Sequence, residues 1–343
     1  MTELPWHLQE YKKTLTAKGK VIPIVQEHLL KTRLESTRDT AHLHPSEIAK
    51  KDWCPRSSWY TIKGYKKEQE EKFAFQRLNV FAEGHAIHAK WQGWLEDAGV
   101  LAGVWQCSST ICNHCWDATS PQTCPACGMT KPLYKEVPVQ NKEHHLLGHA
   151  DGIVDNGKDA PFLIEIKSVG AGTIRFENYG LFKDSDGNPD AMWKSVRQPF
   201  QSHVRQAMLY MYCTGIHTMV FIYEWKATQE VKEFVIQFQQ ELVDPILSAC
   251  ETVVRALDSS IPPMRPEWVT DSEHKTCKQC PYKNTCWKES DENNTATRTD
   301  DTTRLHAGQS ISEGALQSEV HDAPTTSGGN ATSSTVSGRI IRR

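Results

Sequence analysis

Alternation of apolar and polar positions is sharpest over 161–167. There Leu163, Glu165 and Lys167 fall on one face of an extended chain, and Phe162, Ile164 and Ile166 fall on the other. Runs with the same period over 134–139, 144–154, 217–225 and 231–238 predict further strands, and Asn156-Gly157 supplies a turn before the run at 161. Spacings of three and four predict helices instead. One spans 69–98, with Phe81, Gly84, His88, Trp91 and Leu95 on a single stripe and Gly84 placed to let another element come close; others span 195–213 and 241–257, and a short one with Ile48 starts at Pro45. Turn residues at Gly180 and Asp186-Gly187-Asn188-Pro189 mark 176–190 as a loop. Strands bracketed by helices predict an α/β core.

Outside these runs the periodicity fades. From Glu289 the chain is rich in Ser, Thr, Asp, Asn and Gly with few large apolar residues, so 289–343 is expected to be a disordered tail. Residues 1–40 mix short apolar and basic pieces, and Lys12, Lys13, Lys18 and Lys20 read as a loose N-terminal arm. No run of apolar residues is long enough for a membrane span and the N-terminus lacks a signal-peptide core, so a soluble, cytoplasmic protein is expected.

Charge changes this picture little. The net charge of -3 lies in the tail, where eight acids face five bases, and residues 1–288 balance at 34 against 34. Any nucleic-acid site must therefore be a local groove. No internal repeat is present, and no G-x-x-x-x-G-K-[ST] phosphate loop, which excludes an ATP-driven helicase of that kind.

Cysteines change it more. Cys112-Asn113-His114-Cys115 and Cys124-Pro125-Ala126-Cys127-Gly128 form paired C-x-x-C knuckles, the pattern that places four thiolates around one tetrahedral Zn2+. They predict a zinc ribbon over 105–131, with Cys107 a spare thiol able to substitute for one ligand. Being closed, such a site is structural. Cys277, Cys280 and Cys286 form an incomplete C-x2-C-x5-C set whose fourth ligand must come from elsewhere; Cys54 is the candidate, and spacing alone does not choose between zinc and an iron-sulfur cluster.

The remaining chemistry gathers around Asp151 and Glu165-x-Lys167. Two acids can hold a divalent cation through hard oxygen ligands, and a nearby ammonium can orient an attacking water, which is the chemistry of phosphodiester hydrolysis. In chain order, Cys54, Gly84-x-x-x-His88, Asp151, Glu165-x-Lys167, Gln206-x-x-x-Tyr210 and Cys277, Cys280, Cys286 form a set. It resembles the RecB-like branch of the PD-(D/E)XK nuclease superfamily, and within it the iron-sulfur exonucleases of the CRISPR-associated and AddB types. The resemblance spans about 45–288, although Ala150 stands where the superfamily's proline would precede Asp151.

That resemblance implies a restriction-endonuclease-like core, a central mixed sheet flanked by helices, over 41–288. It implies that His88, Asp151, Glu165 and the Ile166 carbonyl hold Mg2+ or Mn2+, with His85 out of register. Lys167 would position the hydrolytic water, Gln206 and Tyr210 would support the centre, and Cys54, Cys277, Cys280 and Cys286 would bind a [4Fe-4S] cluster. The implied activity is a metal-dependent DNA exonuclease acting on single-stranded ends, 5'-to-3', in recombination, repair or CRISPR adaptation, with a recombinase, helicase or integrase as partner. The alternative is a non-catalytic DNA-end or partner adaptor with structural metal sites. The ribbon is not expected in the minimal family.

Overall fold

The computed structural model describes residues 19–32, 39–68 and 75–288. The expectations for the tail over 289–343 and for the lysines before Gly19 lie outside the described residues. Within the predicted arm, Val21–Thr32 forms helix α1, closed by a Lys31–Glu27 ion pair of 2.7 Å one turn apart. Helices α2 (Pro45–Ile48) and α3 (Pro55–Ile62) each start on a proline, whose missing N–H costs nothing at that position. Helix α4 spans Phe75–Asp97.

Nine strands follow: β1 (Leu101–Gln106), β2 (Cys115–Thr119), β3 (Leu133–Tyr134), β4 (Val137–Asn141), β5 (Leu146–Ala150), β6 (Gly152–Val154), β7 (Phe162–Val169), and later β8 (Thr218–Trp225) and β9 (Val231–Gln237). Seven of them form a central mixed sheet in the order β2-β1-β6-β7-β8-β9, with β3 on β1; β4 and β5 form a separate hairpin. Among the strand pairs of this sheet in the described residues, β7–β8 is the parallel one. Its crossover runs through helices α5 (Ala171–Glu177), α6 (Tyr179–Asp184), α7 (Pro189–Ser195) and α8 (Gln201–Thr214). Helix α9 (Gln240–Leu257) and the one-turn α10 (Lys275–Lys278) complete the described chain. Among the described residues no helix is long and apolar enough to cross a membrane.

The alternation over β7 divides two cores. Leu163 and Val169 join Tyr210, Phe221 and Tyr223 beneath α8 and α9, whereas Ile164 and Ile166 join Ile87, Trp105 and Val220 beneath α4. Lys90 and Trp91 of α4 reach through the second layer to the fully buried Glu224 of β8, at 2.6 and 2.7 Å. A buried carboxylate needs such donors, and the bonds fix α4 over the sheet. A Cβ at Gly84 would meet Ser168 Oγ at 3.5 Å, an ordinary contact, so the approach there does not require glycine.

Several sequence expectations change: the loose arm holds helix α1, and the helix expected over 195–213 starts at Gln201. The segment read as a loop over 176–190 contains helix α6 and, with its flanks, the ends of α5 and α7. Asn178 accepts from Leu181 N, and Asn188 accepts from the amides of Asp190 and Ala191, so local capping makes helices too short to show a period. The strand runs over 134–139 and 144–154 are each broken in two, at Glu136 and at Asp151. Those breaks build the site.

Candidate functional site

Hairpin β4–β5 pairs from Asn141↔Leu146 to Val137↔Ala150. One step further along this register, Glu136 faces Asp151. There both strands leave the hairpin, and β3 and β6 run into the main sheet along β1, at Trp105↔Tyr134 and Ala102↔Ile153. Glu136 makes its turn with φ at +61°, in the left-handed region, held by Val104 N donating to its carbonyl at 3.1 Å. The Tyr134 hydroxyl is 3.2 Å from both the Ala102 and Asp151 carbonyls. Gly103 leaves room for that ring, since a Cβ there would stand 2.7 Å from the hydroxyl.

Helix α4 completes one flank of Asp151. His88 Nδ1 lies 3.1 Å from Asp151 Oδ1, and one turn on, Gln92 Nε2 donates to the Asp151 carbonyl at 3.0 Å. Ligand atoms of His88, Glu136 and Asp151 all lie within 4.8 Å of one another, a set fit to hold a metal ion. His85, by contrast, is exposed. Two carboxylates facing each other across a hairpin repel, and the long 3.4 Å bond from Gln92 to Glu136 does little to offset this.

The other flank is a closed network. Asp151 Oδ2 accepts from the Ile166 amide at 2.6 Å, tying the corner to β7; the carbonyl of that residue is the predicted ligand. Lys167 Nζ donates to Glu165 Oε1 at 2.6 Å and to Gln206 Oε1 at 3.1 Å. Gln206 Nε2 donates to Glu165 Oε1 and to the Tyr210 hydroxyl, both at 2.9 Å. Glu165 Oε2 is buried with no hydrogen-bond partner among the described residues. An acceptor left in that state suits a cation, since burial without a partner costs about 1–3 kcal/mol or more. Beneath this layer His203 bonds the Tyr223 hydroxyl, and Ser202 bonds Glu177 at 2.6 Å.

Electrostatics follows from this packing. Burial pushes the Glu165 carboxyl up to about 7, with Lys167 pulling against the rise and the Asp151 charge adding to it. Burial and then the Asp151 charge raise Glu136. For Lys167, burial favours the neutral amine but the Glu165 and Asp151 charges override it, so the pKa is raised and the group is an ammonium. His88 is likewise raised, because its hydrogen bond and charge interaction with Asp151 outweigh burial.

Six of the predicted residues thus converge: His88, Asp151, Glu165, Lys167, Gln206 and Tyr210. Glu136 is the one that sequence reasoning missed. Its signal was hairpin arithmetic, because a four-residue connection over 142–145 sets 136 opposite 151.

Nine of the eleven cysteines form two groups, Cys213 and Cys250 packing in the core instead, and none is disulfide-bonded. Cys54, Cys277, Cys280 and Cys286 line one cavity of about 320 Å3, between the start of α3 and the segment after α9. Outside the cavity, α3 is tied to α9 and the chain after it by Trp59 Nε1 to the Ala256 carbonyl at 2.9 Å, Arg56 to the Pro263 carbonyl at 3.0 Å, and Thr61 to Tyr282 at 3.1 Å. In the ribbon, the sulfurs gathered within 4.8 Å are those of Cys107, Cys112, Cys124 and Cys127. Cys115, expected among them, lies outside the group, and Cys107 stands in its place.

The fold and site define an α/β protein with an acid, histidine and lysine centre on a mixed sheet. No family model and no curated protein matches the chain. Among solved structures it is similar to that of SSO0001, at 14% identity and a TM-score of 0.36 over 79% of this chain and 98% of that one. It is also similar to an alkaline exonuclease, LHK-Exo, from Laribacter hongkongensis, at 14% identity and a TM-score of 0.33 over 64% of this chain and 89% of that one. The complex of LHK-Exo with dAMP matches at 13% identity and the same TM-score, 0.33. Likeness of this degree assigns no activity, and the reading below rests on the side chains.

Proposed function

We propose that this chain is a divalent-cation-dependent deoxyribonuclease of the RecB-like PD-(D/E)XK type. Its nuclease domain spans 41–288 and carries an inserted ribbon over 105–131. The observation that carries the reading is the asymmetry at Asp151: two acids sharing one imidazole on one flank, an ammonium held by a carboxylate and an amide on the other.

His88, Glu136, Asp151 and the unpartnered oxygen of Glu165 are the residues that would hold Mg2+ or Mn2+, with the Ile166 carbonyl in reach by resemblance. When bound, such a cation supplies Lewis-acid polarisation of the phosphodiester and a more acidic water. Lys167 presents its ammonium where negative charge develops on phosphate oxygen, a preorganised donor of the kind worth about 10²–10³ in rate. Gln206 bridges Lys167 and Glu165 so that neither rotates away, and Tyr210 orients the amide.

The resemblance further points to an exonuclease on single-stranded DNA ends with 5'-to-3' polarity, in recombination, repair or CRISPR adaptation beside a recombinase, helicase or integrase. Cys54, Cys277, Cys280 and Cys286 suit a [4Fe-4S] cluster: four soft thiolates line one cavity without gathering to single-ion spacing among the described residues. Such a cluster would cross-link α3 to the segment after α9.

The test is digestion of 5'- and 3'-end-labelled single strands by anaerobically purified protein with Mg2+ or Mn2+. Progressive shortening from the 5' end is expected. If cluster-replete wild type leaves both labels intact at every cation concentration, the nuclease reading is lost.

A further inference from the structure

The knuckle pattern selects Cys112, Cys115, Cys124 and Cys127 as one zinc set, but side-chain direction contradicts it. Gln106 pairs with Cys115 at the end of the β1–β2 ladder, and the Cys107 amide then donates to the His114 carbonyl at 2.8 Å. Facing residues share a side of a sheet and successive residues alternate, so Cys115 and Cys107 point to opposite sides. Cys107 is buried with its sulfur among those of Cys112, Cys124 and Cys127, and the Cys115 sulfur lies outside that group.

Two sulfur separations bear on the ligand. Cys107 and Cys127 are 3.5 Å apart and Cys112 and Cys124 are 3.9 Å apart. A tetrahedral Zn2+ with bonds of about 2.3 Å sets its sulfurs about 3.8 Å apart, and a disulfide needs about 2.05 Å. The second knuckle is already turned for a metal, with Gly128 N donating to the Cys124 carbonyl at 2.9 Å and a φ of +75° at Gly128.

The chain beyond this knuckle leads into the candidate centre. After Cys127 it crosses a bridge at Thr123↔Thr130, pairs through β3 with Trp105 and Gln106, and reaches Glu136. With only two residues, β3 is too short to hold itself. Its Tyr134 nonetheless braces the Asp151 carbonyl, and Glu136 directly follows that pairing. A metal joining Cys107, at the end of β1, to Cys127, before β3, closes this loop beside the pairing.

We propose that Cys107, Cys112, Cys124 and Cys127 hold one Zn2+, that Cys115 stays a surface thiol, and that this zinc anchors the strand delivering Glu136 to the cation centre. The last part rests on the cation-centre reading above. Zinc content and Mn2+ binding by calorimetry are measured on the full chain as wild type, Cys107→Ser and Cys115→Ser, with iodoacetamide sites mapped on zinc-loaded wild type.

Wild type and Cys115→Ser are expected to carry the ribbon zinc with equal Mn2+ affinity. Cys107→Ser should lose one zinc per chain and bind Mn2+ at least about tenfold more weakly, the scale on which supports of metal ligands act. Alkylation should mark Cys115 and spare Cys107. Zinc kept by Cys107→Ser, or alkylation that marks Cys107 and spares Cys115, overturns the ligand set. Unchanged Mn2+ affinity after loss of the ribbon zinc overturns the anchor. Should Cys107→Ser not fold, the alkylation map and the Mn2+ affinity of wild type stripped of its ribbon zinc decide both points. Wild type that binds no Mn2+ sinks the cation centre and the anchor with it, while zinc content and alkylation still read the ligand set.

Discussion

The two flanks of Asp151 each set a glutamate beside a glutamine, to opposite ends. Toward β7, Glu165 is answered by Lys167 and Gln206, through bonds of 2.6 and 2.9 Å. Toward the hairpin, Glu136 faces Asp151 with one long amide bond and a shared histidine. The difference teaches where positive charge is fixed and where it has to be recruited: a lysine supplies it on one side, and a dissociable cation suits the other.

The largest expected effect lies on the fixed flank. Lys167→Ala should lower the single-turnover cleavage rate by about 10²–10³-fold or more, as expected for losing a preorganised donor at developing charge. Folding, read by circular dichroism, should persist. On the recruited flank, Glu136→Gln keeps the shape of the side chain and removes its charge. It should raise the Mn2+ concentration for half-maximal rate by about tenfold or more.

Gln206→Ala should be milder, since Lys167 and Glu165 still bond one another. Leaving the Glu165 and Tyr210 groups short of partners should cost about 1–3 kcal/mol in chemical denaturation.

The smallest expected effect concerns pH in the metal-free protein. The Glu165 carboxyl stands at about 7 against an ordinary 4.5. Between those values the folded chain keeps a proton that the unfolded chain has released, so stability falls as pH rises through this window. The urea midpoint should drop between about pH 5 and about pH 7, and the drop should shrink in a Glu165→Gln variant, the remainder coming from Glu136 and His88, which are raised as well. An unchanged slope in that variant would place the linkage elsewhere.

Much of this was legible in the chain. The period of two over 161–167 marks the strand, and the period of three and four around His88 marks the helix that meets it. Those two periods set the faces of Glu165, Lys167 and His88, and the i, i+4 spacing of Gln206 and Tyr210 on α8 sets theirs. What escaped the sequence is non-local. Glu136 matters through register and a left-handed backbone, neither of which leaves a local signature. Cys115 misleads for a related reason, because a C-x-x-C spacing is counted along the chain while strand alternation decides which sulfurs meet. Helices α5 to α7 stayed hidden because caps, and not periodicity, define them.

The central claim is that the flanks divide the work, and one measurement addresses it: single-turnover cleavage of end-labelled single-stranded DNA across a Mn2+ titration, for wild type, Lys167→Ala and Glu136→Gln. Lys167→Ala should show a lowered plateau with unmoved half-saturation, and Glu136→Gln a shifted half-saturation with a plateau near wild type. Cleavage by wild type without any dependence on Mn2+, or both variants changing the same parameter, would contradict the claim.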